Sequence, residues 1–162
     1  MWAPGEDDKL FSVDELMRKY ETSVGRNTNM IIGLVIEPSG LVPEGDVRRC
    51  EEFGNAIREC YGTPVAETSG NDSGLTLKLP SKTTVDRVII QEEIAEGERV
   101  LVWHLEGIKP DGSTVTLCDG TNIGHKRIAR FTPVELESLR LTIDDFKAKP
   151  IIRRFAAFEA KP

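Results

Sequence analysis

Three short β-type runs crowd into residues 85–131, at 85–91, 99–108 and 113–117, and this stretch constrains the fold more than any other. Each run is rich in Val, Ile, Leu, Thr or Trp, and the breaks between them carry turn chemistry: Gly97, then Pro110-Asp111-Gly112, then Asp119-Gly120. No helix-length segment lies between them, so the strands pair as antiparallel neighbours, and the spacing predicts a sandwich or jelly roll rather than a parallel sheet. Further strands are expected at 75–79, where Leu75, Leu77 and Leu79 alternate, and at 122–131, 134–143 and 151–158. Gly124 leaves room for a bulge in the third-last of these.

The segment ahead of this sheet follows a different period. Ser12 and Glu15 form a Ser-x-x-Glu capping box, with Phe11 and Leu16 at the flanking staple positions, and Val13, Leu16, Met17, Tyr20 and Val24 recur at helical spacing up to Gly25. Residues 29–36 read NMIIGLVI, and a nearly continuous apolar run of that length predicts a strand covered on both faces. A second helix is expected from Pro43 to about Tyr61, with Val47, Cys50, Phe53 and Ile57 on one face and Gly62 at its end. Helix, buried strand and helix make a piece of an α/β layer, and a lone strand of that kind cannot satisfy its own backbone edges. The change of period at the polar Ser69 to Gly74 loop divides the chain into residues 1–62 and residues 63–162.

Charge and composition exclude several partners. With 21 basic against 27 acidic residues the formal charge is −6, which disfavours nucleic acid, and Lys126, Arg127 and Arg130 read as a solvated strand face. No apolar run approaches the roughly 20 residues of a membrane span, and residues 1–8 lack the charged and apolar regions of a signal peptide. Cys50, Cys60 and Cys118 show no metal spacing, and Cys50 and Cys60 lie too far apart along one helix for a disulfide. No cofactor motif is present.

The two parts together resemble the α-L-fucosidase glycoside hydrolases. Ser23-Val24-Gly25-Arg26-Asn27 before the apolar run, then Gly40-Leu41-Val42-Pro43-Glu44 with Asp46, is similar to the last strand and helix of their catalytic barrel. Gly120-Thr121-x-Ile123-Gly124-x-Lys126-Arg127-Ile128, followed by Arg130-Phe131, is similar to their appended C-terminal β-sandwich. The departure is Ile31-Ile32-Gly33-Leu34-Val35-Ile36-Glu37, where the family often has Leu-Leu-Asn-x-Pro-Pro-Asp. The resemblance implies a mainly β chain: a galactose-binding-like (discoidin-like) antiparallel β-sandwich preceded by a helix-strand-helix fragment of a (β/α)8 barrel. It implies retaining hydrolysis of terminal α-L-fucose by the full-length enzyme, acting on fucosylated glycans, with relatives often secreted, periplasmic or lysosomal. Such chemistry needs two carboxyl groups roughly 5 Å apart across one sugar. Both come from barrel segments upstream of this chain, so no catalytic residue carries over, and the chain alone is expected to be non-catalytic. The alternative is a stand-alone carbohydrate-binding sandwich.

Only Trp2 falls near a family segment that borders the sugar, and it is the one substrate-binding candidate. The remaining residues have blander readings. Trp103 reads as core, His104 and His125 as surface side chains, and Glu92, Glu93 and Glu96 as a solvated strand end. Asp111, Asp119 and Asn122 could supply oxygen ligands to calcium, but turn chemistry accounts for them, so no metal site is expected. The apolar run at 30–36 is expected to pack on the sandwich, pair with a second copy in a homo-oligomer, or aggregate.

Overall fold

The computed structural model describes residues 9–160, and Trp2 therefore lies outside the described residues. The chain opens with helix α1 (Val13–Thr22), whose capping box forms as the sequence predicts. The Ser12 hydroxyl accepts from Glu15 N at 3.2 Å, and the Glu15 carboxylate accepts from Ser12 N at 2.8 Å. This satisfies two of the amide donors that a helix start leaves open. The hydrogen bonding of the carboxylate to Ser12 holds the Glu15 pKa below its usual value. The helix stops at Ser23, two residues before Gly25.

Helix α2 (Glu44–Tyr61) begins after Pro43 and ends at Gly62, as expected. Its buried side is narrower than the predicted face: Phe53 and Tyr61 are buried, while Val47 and Cys50 are exposed. Between the helices the prediction fails. Residues 29–36 form no strand, and Ile31 is 93% exposed, with Ile32, Leu34 and Ile36 also open to solvent. A strand exists only where neighbours take its N–H and C=O groups, and no strand of the described residues reaches this segment. The segment has the composition of a doubly covered strand and little of the cover.

Six strands form one antiparallel sheet: β1 (Ala66–Gly70), β2 (Gly74–Glu92), β3 (Val100–Ile108), β4 (Thr114–Thr121), β5 (Arg127–Phe146) and β6 (Ile152–Glu159), in the order β1-β6-β2-β5-β3-β4. The sequence reading splits β2 and β5 into two strands each; the structure keeps them whole at 19 and 20 residues. What interrupts the pattern is Pro80 in one and Pro133 in the other. Neither can donate to a ladder, and the β2–β5 register shifts between Lys78 and Thr83 and between Val85 and Arg87. β1 lies in a stretch that reads as polar, and it pairs with β6 at the sheet edge.

The register shows how one sheet encloses a core. The second part of β2 joins β6 on one side and the first part of β5 on the other, whereas β3 pairs only with the later part of β5, from Ser138 to Phe146. The two long strands thus belong to both halves of a bent sheet. Val88, Ile90, Phe155 and Ala157 from one half meet Leu77, Trp103, Leu105 and Leu141 from the other in a single buried cluster. The described residues are mainly β and antiparallel, with two α-helices.

The first half is covered on its outer face as well. Ile89, Ile128, Ala156 and Phe158 point away from the sandwich core and pack on Tyr61, Tyr20, Met17 and Cys60 of the helices. Consecutive apolar residues such as Val88-Ile89-Ile90 and Phe155-Ala156-Ala157-Phe158 follow from this double cover. The rings run in the order Phe53, Tyr20, Tyr61, Phe158 through this layer, with neighbouring centroids 5.7–6.3 Å apart. The 3-10 turn Ile94–Glu96 is the single helical element between β2 and β5 among the described residues.

Candidate functional site

The segment 23–27 and the segment 120–131, distant in sequence, meet in space. Arg26 and Arg127 form an antiparallel bridge, Asn27 N donates to Lys126 O at 3.0 Å, and Ile128 N donates to Gly25 O at 2.8 Å. Asn27 adopts a left-handed conformation, φ 64°, which an asparagine tolerates better than most residues. Its side chain accepts from His125 N at 2.7 Å and donates to Glu98 at 2.9 Å. Opposite it Gly124 also has positive φ, and a Cβ there would fall 2.3–2.5 Å from the Asn27 side chain. Glycine is the residue that fits both the angle and the space.

Beneath this joint lies Glu92, 1% exposed, which corrects its reading as a solvated strand end. Its carboxylate accepts from Gly124 N at 2.8 Å, Arg99 N at 2.8 Å and Val100 N at 3.1 Å. Three backbone donors from two loops converge on one side chain, and they account for its burial. Glu93 and Glu96 remain exposed or half-buried, as the sequence suggests.

A polar network joins the helices to the sheet. Arg87, 4% exposed, donates from Nε and Nη2 to the Cys60 carbonyl at 3.1 and 3.0 Å, closing the C-terminal end of α2 with a cation. Its Nη1 pairs with Asp86, and its guanidinium stacks within 6 Å of the Tyr61 and Phe158 rings. The Tyr61 hydroxyl donates to Glu21 at 2.5 Å, and Arg130 pairs with Glu21 at 2.9 Å and with Asp86 at 3.7 Å. Burial, reinforced by Glu21, pushes the Tyr61 pKa far above its usual value, so the phenol stays a donor across the whole neutral range. Burial alone would lower the Arg130 pKa; Glu21, Tyr61 and Asp86 outweigh it and raise it. Lys126, Arg127 and Arg130 therefore do not form one solvated basic face: Arg130 joins this network, and Arg127 lies 5.6 Å over Trp103.

The other sequence candidates disperse. Trp103 is fully buried, its indole N–H donating to Asn122 O at 3.2 Å, and so is core. His104 bonds Asp144 through Nδ1 at 2.7 Å, and His125 is exposed. Asp111 binds Ser113 in the turn before β4, whereas Asp119 and Asn122 lie at the other end of that strand, so the three do not converge. No group of three or more His, Cys, Asp or Glu suited to a metal occurs among the described residues.

What the sheet does not use is an apolar surface on the helix side. Leu34, Val42, Val47, Cys50, Gly54 and Arg58 line an open groove, and a second cleft runs from Phe11 and Leu16 to Ile32 and Phe53. Exposed apolar area of this kind marks a contact surface. The double substitution Ile31→Lys with Leu34→Glu is expected to leave stability within about 0.5 kcal/mol while lowering self-association in light scattering. Unfolding of that variant would show that the face is packed within the chain.

No protein-family model matches the chain. It is similar to the "putative alpha-L-fucosidase" of Bacteroides thetaiotaomicron VPI-5482, known from a crystal structure, at 42% identity and a TM-score of 0.96, covering 99% of this chain and 37% of that one. A crystal structure of a glycoside hydrolase 29 family member from an unknown rumen bacterium superposes with a TM-score of 0.87 at 27% identity, over 100% of this chain and 31% of that one. The "Putative alpha-L-fucosidase 1" of Oryza sativa subsp. japonica is 27% identical over 192 residues, covering 97% of this chain and 37% of the relative. This chain thus spans 31–37% of these relatives' length, and it corresponds to their C-terminal part.

Proposed function

We propose that this chain serves as the C-terminal part of an α-L-fucosidase of glycoside hydrolase 29 type, a non-catalytic portion whose sandwich braces the end of the catalytic barrel. The observation that carries this reading is the match of 99% of the chain to a 42%-identical structure at a TM-score of 0.96. On this reading the apolar residues 29–36 are the last barrel strand, and α1 and α2 are the helices that flank it. That assigns a use to the exposed face of Ile31, Leu34 and Val47, which the sandwich leaves uncovered. The polar network through Arg87, Tyr61, Glu21 and Arg130 then holds the barrel end rigidly against the sandwich.

The acids available here support a bracing role. Retaining hydrolysis needs a nucleophile and an acid/base roughly 5 Å apart in a sugar-sized cleft. Glu92 is committed to three backbone donors, and Glu21 and Asp86 are committed to arginines. In the full-length enzyme the substrate would be a fucosylated glycan, bound by segments upstream of this chain. The pure 162-residue protein is expected to release nothing from an aryl α-L-fucoside. Turnover abolished by a fucosidase inhibitor would overturn this assignment. Calorimetric titration with fucose is expected to be silent, and saturable heat would favour a sugar-binding module over a brace.

A further inference from the structure

Arg26 and Arg127 stand directly opposite each other in their antiparallel bridge, and neither has an ion pair or a side-chain hydrogen bond among the described residues. Like charges facing each other across a bridge destabilise it. Two acids that bond the same two segments have other partners. Glu98 accepts from Asn27, and Glu92 from three backbone amides. The Arg127 guanidinium carbon lies 5.6 Å from the centre of the buried Trp103 ring, a cation-π contact, and its Nε is buried without a partner. Space is kept beside it by Gly120, where a Cβ would fall 3.1 Å from Arg127 Nη2 and 2.8 Å from the Trp103 ring. Burial, followed by the charge of Arg26, lowers the Arg127 pKa, the direction expected of a cation that lacks a counter-charge.

We propose that Arg26 and Arg127 form a binding site for a single oxyanion, a carboxylate or sulfate, at the end of the sandwich where segment 23–27 meets segment 120–131. A planar guanidinium presents paired N–H donors at the spacing of two oxygens of such a group, here from Nη1 and Nη2 because Nε is buried, and the facing Arg26 adds a second positive charge. The anion could be free or carried on an acidic saccharide. The chemistry of the site is the same for both.

Thermal unfolding of the 162-residue chain in sodium sulfate, with ionic strength held constant by sodium chloride, tests the site. A saturable rise in Tm is expected for the wild-type chain, and at least a tenfold weaker apparent affinity for Arg26→Gln. Without sulfate, Arg26→Gln is expected to melt above the wild-type chain, because the repulsion is gone. Arg26 is exposed, so its replacement leaves the fold intact. Arg127→Lys, which keeps the charge but loses the fork, should also bind at least tenfold more weakly. Glucuronate against glucose separates the sources: glucuronate tighter than sulfate assigns the site to an acidic saccharide, and sulfate alone assigns it to an inorganic anion. An equal rise in Tm for wild type and Arg26→Gln would reduce the effect to general exclusion of sulfate from the protein surface and overturn the proposal.

Discussion

Replacing Glu92 with alanine is expected to destabilise the chain by about 3–5 kcal/mol, since each buried donor left without a partner costs about 1–3 kcal/mol and water can reach some of them. The carboxylate ties Gly124 N, Arg99 N and Val100 N together at 2.8–3.1 Å, so one truncation releases the loop before β3 and the loop before β5 at the same time. Asn27 packs on Gly124 from the other side, and the segment leading into residues 29–36 should loosen with it. Glu92→Gln keeps an acceptor oxygen and turns the other position into a donor that faces an amide, so its cost should fall between those of wild type and alanine. Urea unfolding with an unchanged m value checks the ordering. A loss below about 1 kcal/mol for the alanine variant would mean that the loops find other acceptors.

Arg87→Met is expected to cost a similar amount, about 3–5 kcal/mol, because removing one partner of a buried pair leaves the other charge uncompensated. Two hydrogen bonds to the Cys60 carbonyl and the contact with Asp86 disappear, and among the described residues Asp86 keeps Arg130 at 3.7 Å. The effect should be uneven along the chain. Amides of Glu44–Tyr61 should lose protection from hydrogen exchange, while those of β3 and the later part of β5 retain it, since the sandwich core does not include α2. Adding Asp86→Asn should recover part of the loss, because the stranded charge goes with it. Uniform loss of protection throughout the sheet would show that helices and sandwich unfold as one unit.

Much of the architecture is legible in residue order. The Ser12–Glu15 box needs only contacts three residues apart, so local chemistry specifies it, and it forms as written. The turns at Gly97 and Gly112 place β3 and the start of β4 within a residue or so of their expected bounds, whereas Asp119-Gly120, expected as a break, lies inside β4 and pairs with His104 and Trp103. Pro80 and Pro133 fall in or beside the gaps between the expected strands, and the structure runs through both. A proline ends the ladder locally, and nothing local tells whether the chain stops there or bends and continues. The resemblance to α-L-fucosidases was likewise readable from two short motifs, and the structure adds that they touch, Asn27 against Gly124.

Two matters were left to tertiary structure. Continuous apolar runs indicate strands covered twice, and three such runs are 30–36, 88–90 and 155–158. The rule holds for the second and third, which lie between the sandwich core and the helices, and fails for the first, whose side chains are open to solvent. Composition records the environment that a segment suits; only the neighbours present decide whether it is built. The role of Glu92 was hidden for a related reason. Its three donors come from positions 7, 8 and 32 residues away, and no local pattern marks a carboxylate that long-range folding will surround with amides. Periodicity and caps, being short-range, were determined by the sequence alone. Burial, which depends on what the rest of the chain brings alongside, was decided by the fold.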